Sequence, residues 1–153
     1  MRFAKSCLKY AIMFASIAVS AMYVLPLLSV YSGGIESGTF VIRGFNLAEF
    51  SVWSVLPLIA PLLITVILFG HQPKVAQKIE LIALIVGNTA AYVHGLSAAR
   101  AWIDEIGGRI TTYHPSVFVL PIALIVVVAL ALAKIFDIGG HEDKNSEDAE
   151  LLL

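Results

Sequence analysis

The chain has 153 residues, of which 59% are hydrophobic and only 14% charged, with a mean hydropathy of +0.89. A soluble domain carries about 25% charged residues, so the composition excludes an ordinary soluble fold and predicts an all-α membrane protein. The net charge of −1 carries no information about nucleic acid; with no basic patch interleaved with aromatics no nucleic-acid partner is expected, and membrane lipid is the expected surroundings.

Four intervals carry no Asp, Glu, Lys or Arg: 10–35, 50–70, 81–99 and 115–133. Each is long enough to span, because about 20 apolar residues at about 1.5 Å rise match a hydrocarbon core about 30 Å thick. The predicted spans are 10–31, 50–69, 79–99 and 116–136. They form an antiparallel up-down bundle in one transmembrane domain, residues 1–136, followed by an acidic tail, residues 137–153.

The amino end is a positive flank, Arg2, Lys5 and Lys9, leading into an apolar run that continues too far for the core of a secretory signal. Span one has its own small face in Ala11, Ala15, Ala18 and Met22, with Ser16 and Ser20 beside it, which makes it the expected partner of span three. Pro26 near its outer end is expected to bend the helix. The loop that follows contains a β-prone run, Thr39, Phe40, Val41 and Ile42, after Gly33, Gly34 and Gly38. A second β-prone run, Arg109, Ile110, Thr111, Thr112 and Tyr113, follows Gly107 and Gly108 in the loop between spans three and four. Pairing of the two runs predicts a small two-stranded periplasmic cap, stable only against the helix ends.

Span two carries Pro57 and Pro61 four residues apart, so the hydrogen bonds they forfeit open toward one side and a bend is expected. Orientation follows from the basic residues. Arg2, Lys5, Lys9, Lys74, Lys78, Lys134 and Lys144 fall on one side, against Arg43, Arg100 and Arg109 on the other. The excess places both termini in the cytoplasm of a bacterial inner membrane.

Small residues recur every fourth position through span three: Ala83, Gly87, Ala91, Gly95 and Ala99. Positions four apart stack on one helix face, and in lipid such small stripes let backbones approach where no hydrophobic force drives helices together. The stripe is therefore the expected packing and homo-oligomer surface. The same span holds the most polar embedded cluster, Asn88, Thr89, His94 and Ser97, the default candidates for a pore or switch. The helix is expected to run on to Ile106 and stop at Gly107.

Span four is apolar all round and is expected to face lipid, with Lys134 snorkelling from its inner end. Beyond Gly139 and Gly140 the chain turns acidic, with Glu142, Asp143, Glu147, Asp148 and Glu150, and closes on Leu151, Leu152 and Leu153. An acidic segment ending in leucines suits docking to a cytosolic protein partner, with folding on binding.

The chemistry found is mostly negative. Cys7 is the single cysteine, the four histidines have no metal-ligand spacing, and no Walker loop, GxSxG or HExxH occurs. No enzyme, cofactor or metal is expected. The layout of four spans with both ends inside resembles in outline the colicin-type immunity proteins and the membrane subunit of the Kiwa phage-defence system. That resemblance implies a membrane sensor or anchor, and it assigns no residue. The expected function is a non-enzymatic inner-membrane subunit that self-associates, binds at the periplasmic face and recruits or regulates a cytosolic partner. The alternative is a small channel or transporter lined by Asn88, Thr89 and His94.

Overall fold

The computed structural model describes residues 2–33 and 38–150, with side chains for residues 7–33 and 38–135. Helices α1 (Arg2–Ala21), α2 (Leu47–Phe50), α3 (Leu56–Phe69), α4 (Lys74–Glu105) and α5 (Ser116–Glu150) account for most of it, together with strands β1 (Pro26–Ser32), β2 (Gly38–Arg43) and β3 (Gly108–Tyr113). Among the described residues four stretches are long and apolar enough to cross a membrane: Cys7–Val24, Val52–Phe69, Lys74–Glu105 and Ser116–Ile135.

The first helix stops well short of residue 31. After α1 a 3-10 turn, Met22–Val24, leads to an extended Leu25, and Pro26 then opens β1. Proline suits the first position of a strand, where the N–H it lacks is not needed by the ladder. Leu27, Leu28 and Val30 bury themselves as strand residues. The bend predicted at Pro26 is instead a change of secondary structure.

Both β-prone runs are strands, but they do not pair with each other. The sheet order is β2-β1-β3, antiparallel throughout, with β1 inserted between them. Val30 faces Phe40 on one side and Ile110 on the other, and Ser32 faces Gly38 and Gly108. The two-stranded cap is thus a three-stranded sheet whose central member comes from what reads as the end of span one. Its position is physically reasonable, since the central strand has both rows of backbone groups satisfied and is the most apolar of the three.

α1 packs against α3 and α5, and α4 packs against the same two helices. The expected pairing of α1 with the small stripe of α4 is therefore replaced. The stripe's neighbours are α3 and the segment entering it, residues 47–55, which lies against α4 as α2 and a 3-10 turn, Val52–Val55. That segment stands beside span two in sequence, so its ends are already close to α4 and cost little to bring there.

α5 also differs from expectation. It has the largest buried share of the four apolar windows, 39%, with Leu120, Leu124, Val128 and Ala131 inside and Phe118, Ile122, Val126 and Leu130 outside. Both faces are equally apolar, so composition carries no signal for which one turns inward.

Helix α4 has 32 residues, a length of about 48 Å. Its last turns rise beyond the apolar core and carry the sheet. Trp102 meets Phe40 of β2 edge-on with ring centroids 5.6 Å apart and Phe50 of α2 in a tilted contact at 5.2 Å, and Ile103 is buried beneath. Gly107, with φ 65°, makes the left-handed turn that ends the helix and starts β3. The sheet therefore belongs to a second apolar core that includes Tyr23, Leu27, Val30, Leu47 and Tyr92, distinct from the one among the four long helices.

Candidate functional site

Polar side chains in α4 divide among three places. Asn88 is buried and donates through Nδ2 to the Leu84 carbonyl at 2.7 Å, while Thr89 donates to Ile85 O at 2.8 Å. These are bonds within the helix's own turn, and they occupy one donor of each side chain without reaching another helix. Asn88 Oδ1 and Tyr23 OH are buried without a hydrogen-bond partner. Both residues line a void of about 10 Å³, closed by Thr89, Pro121, Leu124 and Val128, on the scale of one water molecule. Tyr23 was hidden from sequence reading because it sits in the middle of an apolar run.

Two prolines explain two other polar contacts. A proline inside a helix leaves the carbonyl four residues earlier without its N–H. Pro121 does this to Val117 O, which accepts instead from Tyr92 OH at 2.9 Å. Pro61 does it to Pro57 O, which accepts from Ser20 Oγ at 3.1 Å. Each vacated acceptor is thus satisfied by a hydroxyl from a neighbouring helix, which pins α4 to α5 and α1 to α3. Tyr92→Phe should cost about 1 kcal/mol, between the membrane average of about 0.6 and the soluble range for a stranded buried acceptor. Thermal unfolding in detergent checks this, and Tyr92→Phe should lower the midpoint more than Thr89→Val, whose hydroxyl serves only its own turn.

The small stripe is covered at one end and open at the other. Ala91, Gly95 and Ala99 are buried, Gly87 is half-buried and Ala83 is exposed. Ser54 Oγ donates to Ala91 O at 3.1 Å, and Ser54 and Leu47 sit directly over Gly95. Next to this contact Ser51 Oγ and His94 Nδ1 are 2.9 Å apart, with His94 itself on the exterior. The uncovered part borders a groove of about 360 Å³ between Trp53, Leu56, Gly87, Ala90, Ala91 and His94.

Ser97 lies in a third place. It lines a groove of about 220 Å³ beneath β3, with Arg100 and Tyr113 as the other polar members and Leu28, Leu96 and Ile110 among the apolar ones. Strand β3 is held over it by paired contacts to β1. His114 N donates to Leu27 O, His114 Nε2 meets Ser29 Oγ at 2.9 Å, and Thr111 Oγ1 donates to Ser29 O at 3.0 Å. Ser116 Oγ reaches Pro26 O and fastens the start of α5 to the same strand. Arg100 and Tyr113 have no motif that marks them in the sequence; the embedded Ser97 and the β-prone character of residues 109–113 pointed to this region.

Asn88 and Thr89 thus share one cavity, His94 borders a second and Ser97 a third, so the four candidates are not brought to one place. The side chains of Glu142, Asp143, Glu147, Asp148 and Glu150, and all of Leu151, Leu152 and Leu153, lie outside the described residues. Among the described residues no group of three or more His, Cys, Asp or Glu gathers as a metal site would. Comparison with protein families, curated proteins and solved structures finds no match for the chain.

Proposed function

We propose that this chain is an integral inner-membrane subunit, an antiparallel four-helix bundle with both termini cytoplasmic, that binds at its outward face and engages a cytosolic partner through its acidic tail. Self-association in this reading uses the open part of the stripe, Ala83 and Gly87, beside Trp53 and Leu56. The observation that carries the proposal is the sheet. Its central strand continues directly from α1, its flanking strands come from the segments between α1 and α3 and between α4 and α5, and His114 and Ser116 fasten it to α5. The outward ends of α1, α4 and α5 are therefore joined through one sheet at the groove that holds Ser97, Arg100 and Tyr113. A ligand seated there acts on the angle between α4 and α5 rather than on a loose loop. Positive-inside asymmetry supports the orientation, with the seven basic residues of one side opposite the sheet.

Thiol labelling tests the orientation on the chain's own chemistry, because Cys7 is exposed and is the single cysteine. A membrane-impermeant maleimide should modify Cys7 only after permeabilisation. A Cys7→Ala, Arg109→Cys chain should be modified in intact spheroplasts. The reverse pattern removes the proposal. A chain ending at Gly140 should insert normally but lose its cytosolic partner in detergent pull-downs; unchanged recovery of the partner removes the tail from the account.

A further inference from the structure

At the end of the molecule away from the sheet, three lysines from three helices line one pocket of about 230 Å³: Lys9 of α1, Lys74 of α4 and Lys134 of α5. Among the described residues Gln72, Gln77, Leu68 and Ile135 also line it, and none of these seven is acidic. The ammonium groups are presented by packed elements rather than by a loose tail. Lys9 Nζ donates to Leu68 O at 2.8 Å and lies 5.3 Å from the centre of the Phe69 ring. Lys134 is 5% exposed. Gln77 Nε2 leans on Gly70 O, and Gln72, with its amide nitrogen turned toward Glu80, donates to both carboxylate oxygens of that residue at 2.7 and 2.8 Å.

A second, independent feature adds to the same charge. Helix α4 starts at Lys74 behind Pro73, with no side-chain cap and no acidic residue in its first turn. The positive end of a 32-residue helix therefore has no carboxylate in its own first turn where it meets the pocket, and Glu80, further along the helix, is held by Gln72.

We infer that this pocket binds the phosphate of an anionic phospholipid in the cytoplasmic leaflet. Basic pockets between helices on that side suit such headgroups. The apolar members decide for a lipid over a soluble anion. Leu68 and Ile135 form part of the wall, and on the flanking helices Val66, Phe69, Ile79 and Ile82 are exposed. An acyl chain has apolar surface of these helices to lie on, which a hydrated phosphate ion has no use for. The inference rests on the membrane reading of the chain, which carbonate extraction of membranes tests separately.

The test is lipid binding to the purified full chain in mild detergent at about 0.15 M salt, followed by native mass spectrometry. Phosphatidylglycerol, phosphatidylcholine and inorganic phosphate are the probes. Phosphatidylglycerol should be retained, and the other two should not compete at equal concentration. Lys74→Gln should weaken phosphatidylglycerol about fivefold, the value of one lysine at an anionic surface. Lys78→Gln, one turn along the same helix and outside the lining, should change it by less than twofold. Lys74 is only half-buried, so this variant tests the pocket without disturbing the packed Lys9 and Lys134. Equal retention of phosphatidylcholine, or equal loss in the two variants, would overturn the proposal. Competition by inorganic phosphate alone would assign the pocket to a soluble anion. Binding that rises severalfold when the chain is cut after Gly140 would assign it to the acidic tail.

Discussion

Gly95→Ala should destabilise the chain by about 2 to 3 kcal/mol, the upper part of the range for overpacking a tight contact. A Cβ at this position falls well inside van der Waals contact distance of Ser54 Oγ and 3.2 Å from both Leu47 Cβ and Ser54 Cβ. The hydroxyl cannot simply turn away without giving up its bond to Ala91 O. Ser54→Ala alone should cost about 0.6 kcal/mol, the typical worth of one interhelical hydrogen bond in a membrane protein. Combining the two changes should recover more than half of the Gly95→Ala loss, because the atom nearest the new methyl is gone. Such recovery is the non-additivity expected of residues in direct contact. Gly87→Ala serves as the control on the same stripe. Its Cβ meets only Leu56 Cδ2, at 3.2 Å, the movable end of a side chain, so the midpoint of thermal unfolding should shift little. Equal losses at Gly87 and Gly95 would mean that the stripe is not filled by the segment 47–55.

How much of this was legible depends on whether a feature is local. The four apolar runs were readable because freedom from charge over about 20 residues is a property of the run itself. The end of α1 was not, since Leu27, Leu28 and Val30 are as apolar in a strand as in a span, and Pro26 alone marked the change. Val41, Ile42, Thr111 and Thr112 announced two strands through their branched side chains. Their mutual partner could not be seen while it was counted as helix. Pro61 and Pro121 disclosed that two carbonyls lacked a donor, yet nothing near them in the chain named Ser20 or Tyr92 as the group that supplies it. The inward face of α5 was hidden for the opposite reason: Val128 and Val126 are chemically the same, and only packing tells them apart. The stripe of α4 was visible as a surface that wants a close neighbour, but the neighbour, Ser54 and Leu47, is chosen by the path of the chain between β2 and α3.

Gly44→Ala should be the more damaging of the two glycine changes, at about 3 kcal/mol or more, and here no second substitution should repair it. The new Cβ would lie 2.7 Å from Tyr23 Cδ1, 2.8 Å from Tyr23 O and 2.9 Å from Tyr23 Cα. Two of these three atoms belong to the main chain or its junction, so Tyr23→Ala in the same molecule leaves most of the clash in place. The location raises the cost. Gly44 N donates to Leu25 O at 3.3 Å and Arg43 Nη1 to Val24 O at 3.1 Å, which ties the exit of β2 to the exit of α1. Moving that junction displaces Tyr23 from its edge-on contact with Tyr92, whose ring centre is 6.3 Å away. Tyr92 in turn holds Val117 O of α5, so strain at the sheet's base reaches the α4 and α5 pair through two side chains. Hydrogen exchange in detergent should then show Val30 and Ile110 amides losing protection before those of Leu81 and Val128, because the sheet-side core gives way while the helix core below it does not share the contact. Simultaneous loss in both regions would mean that the two cores unfold as one unit, and that the sheet is not a separable platform on the helices.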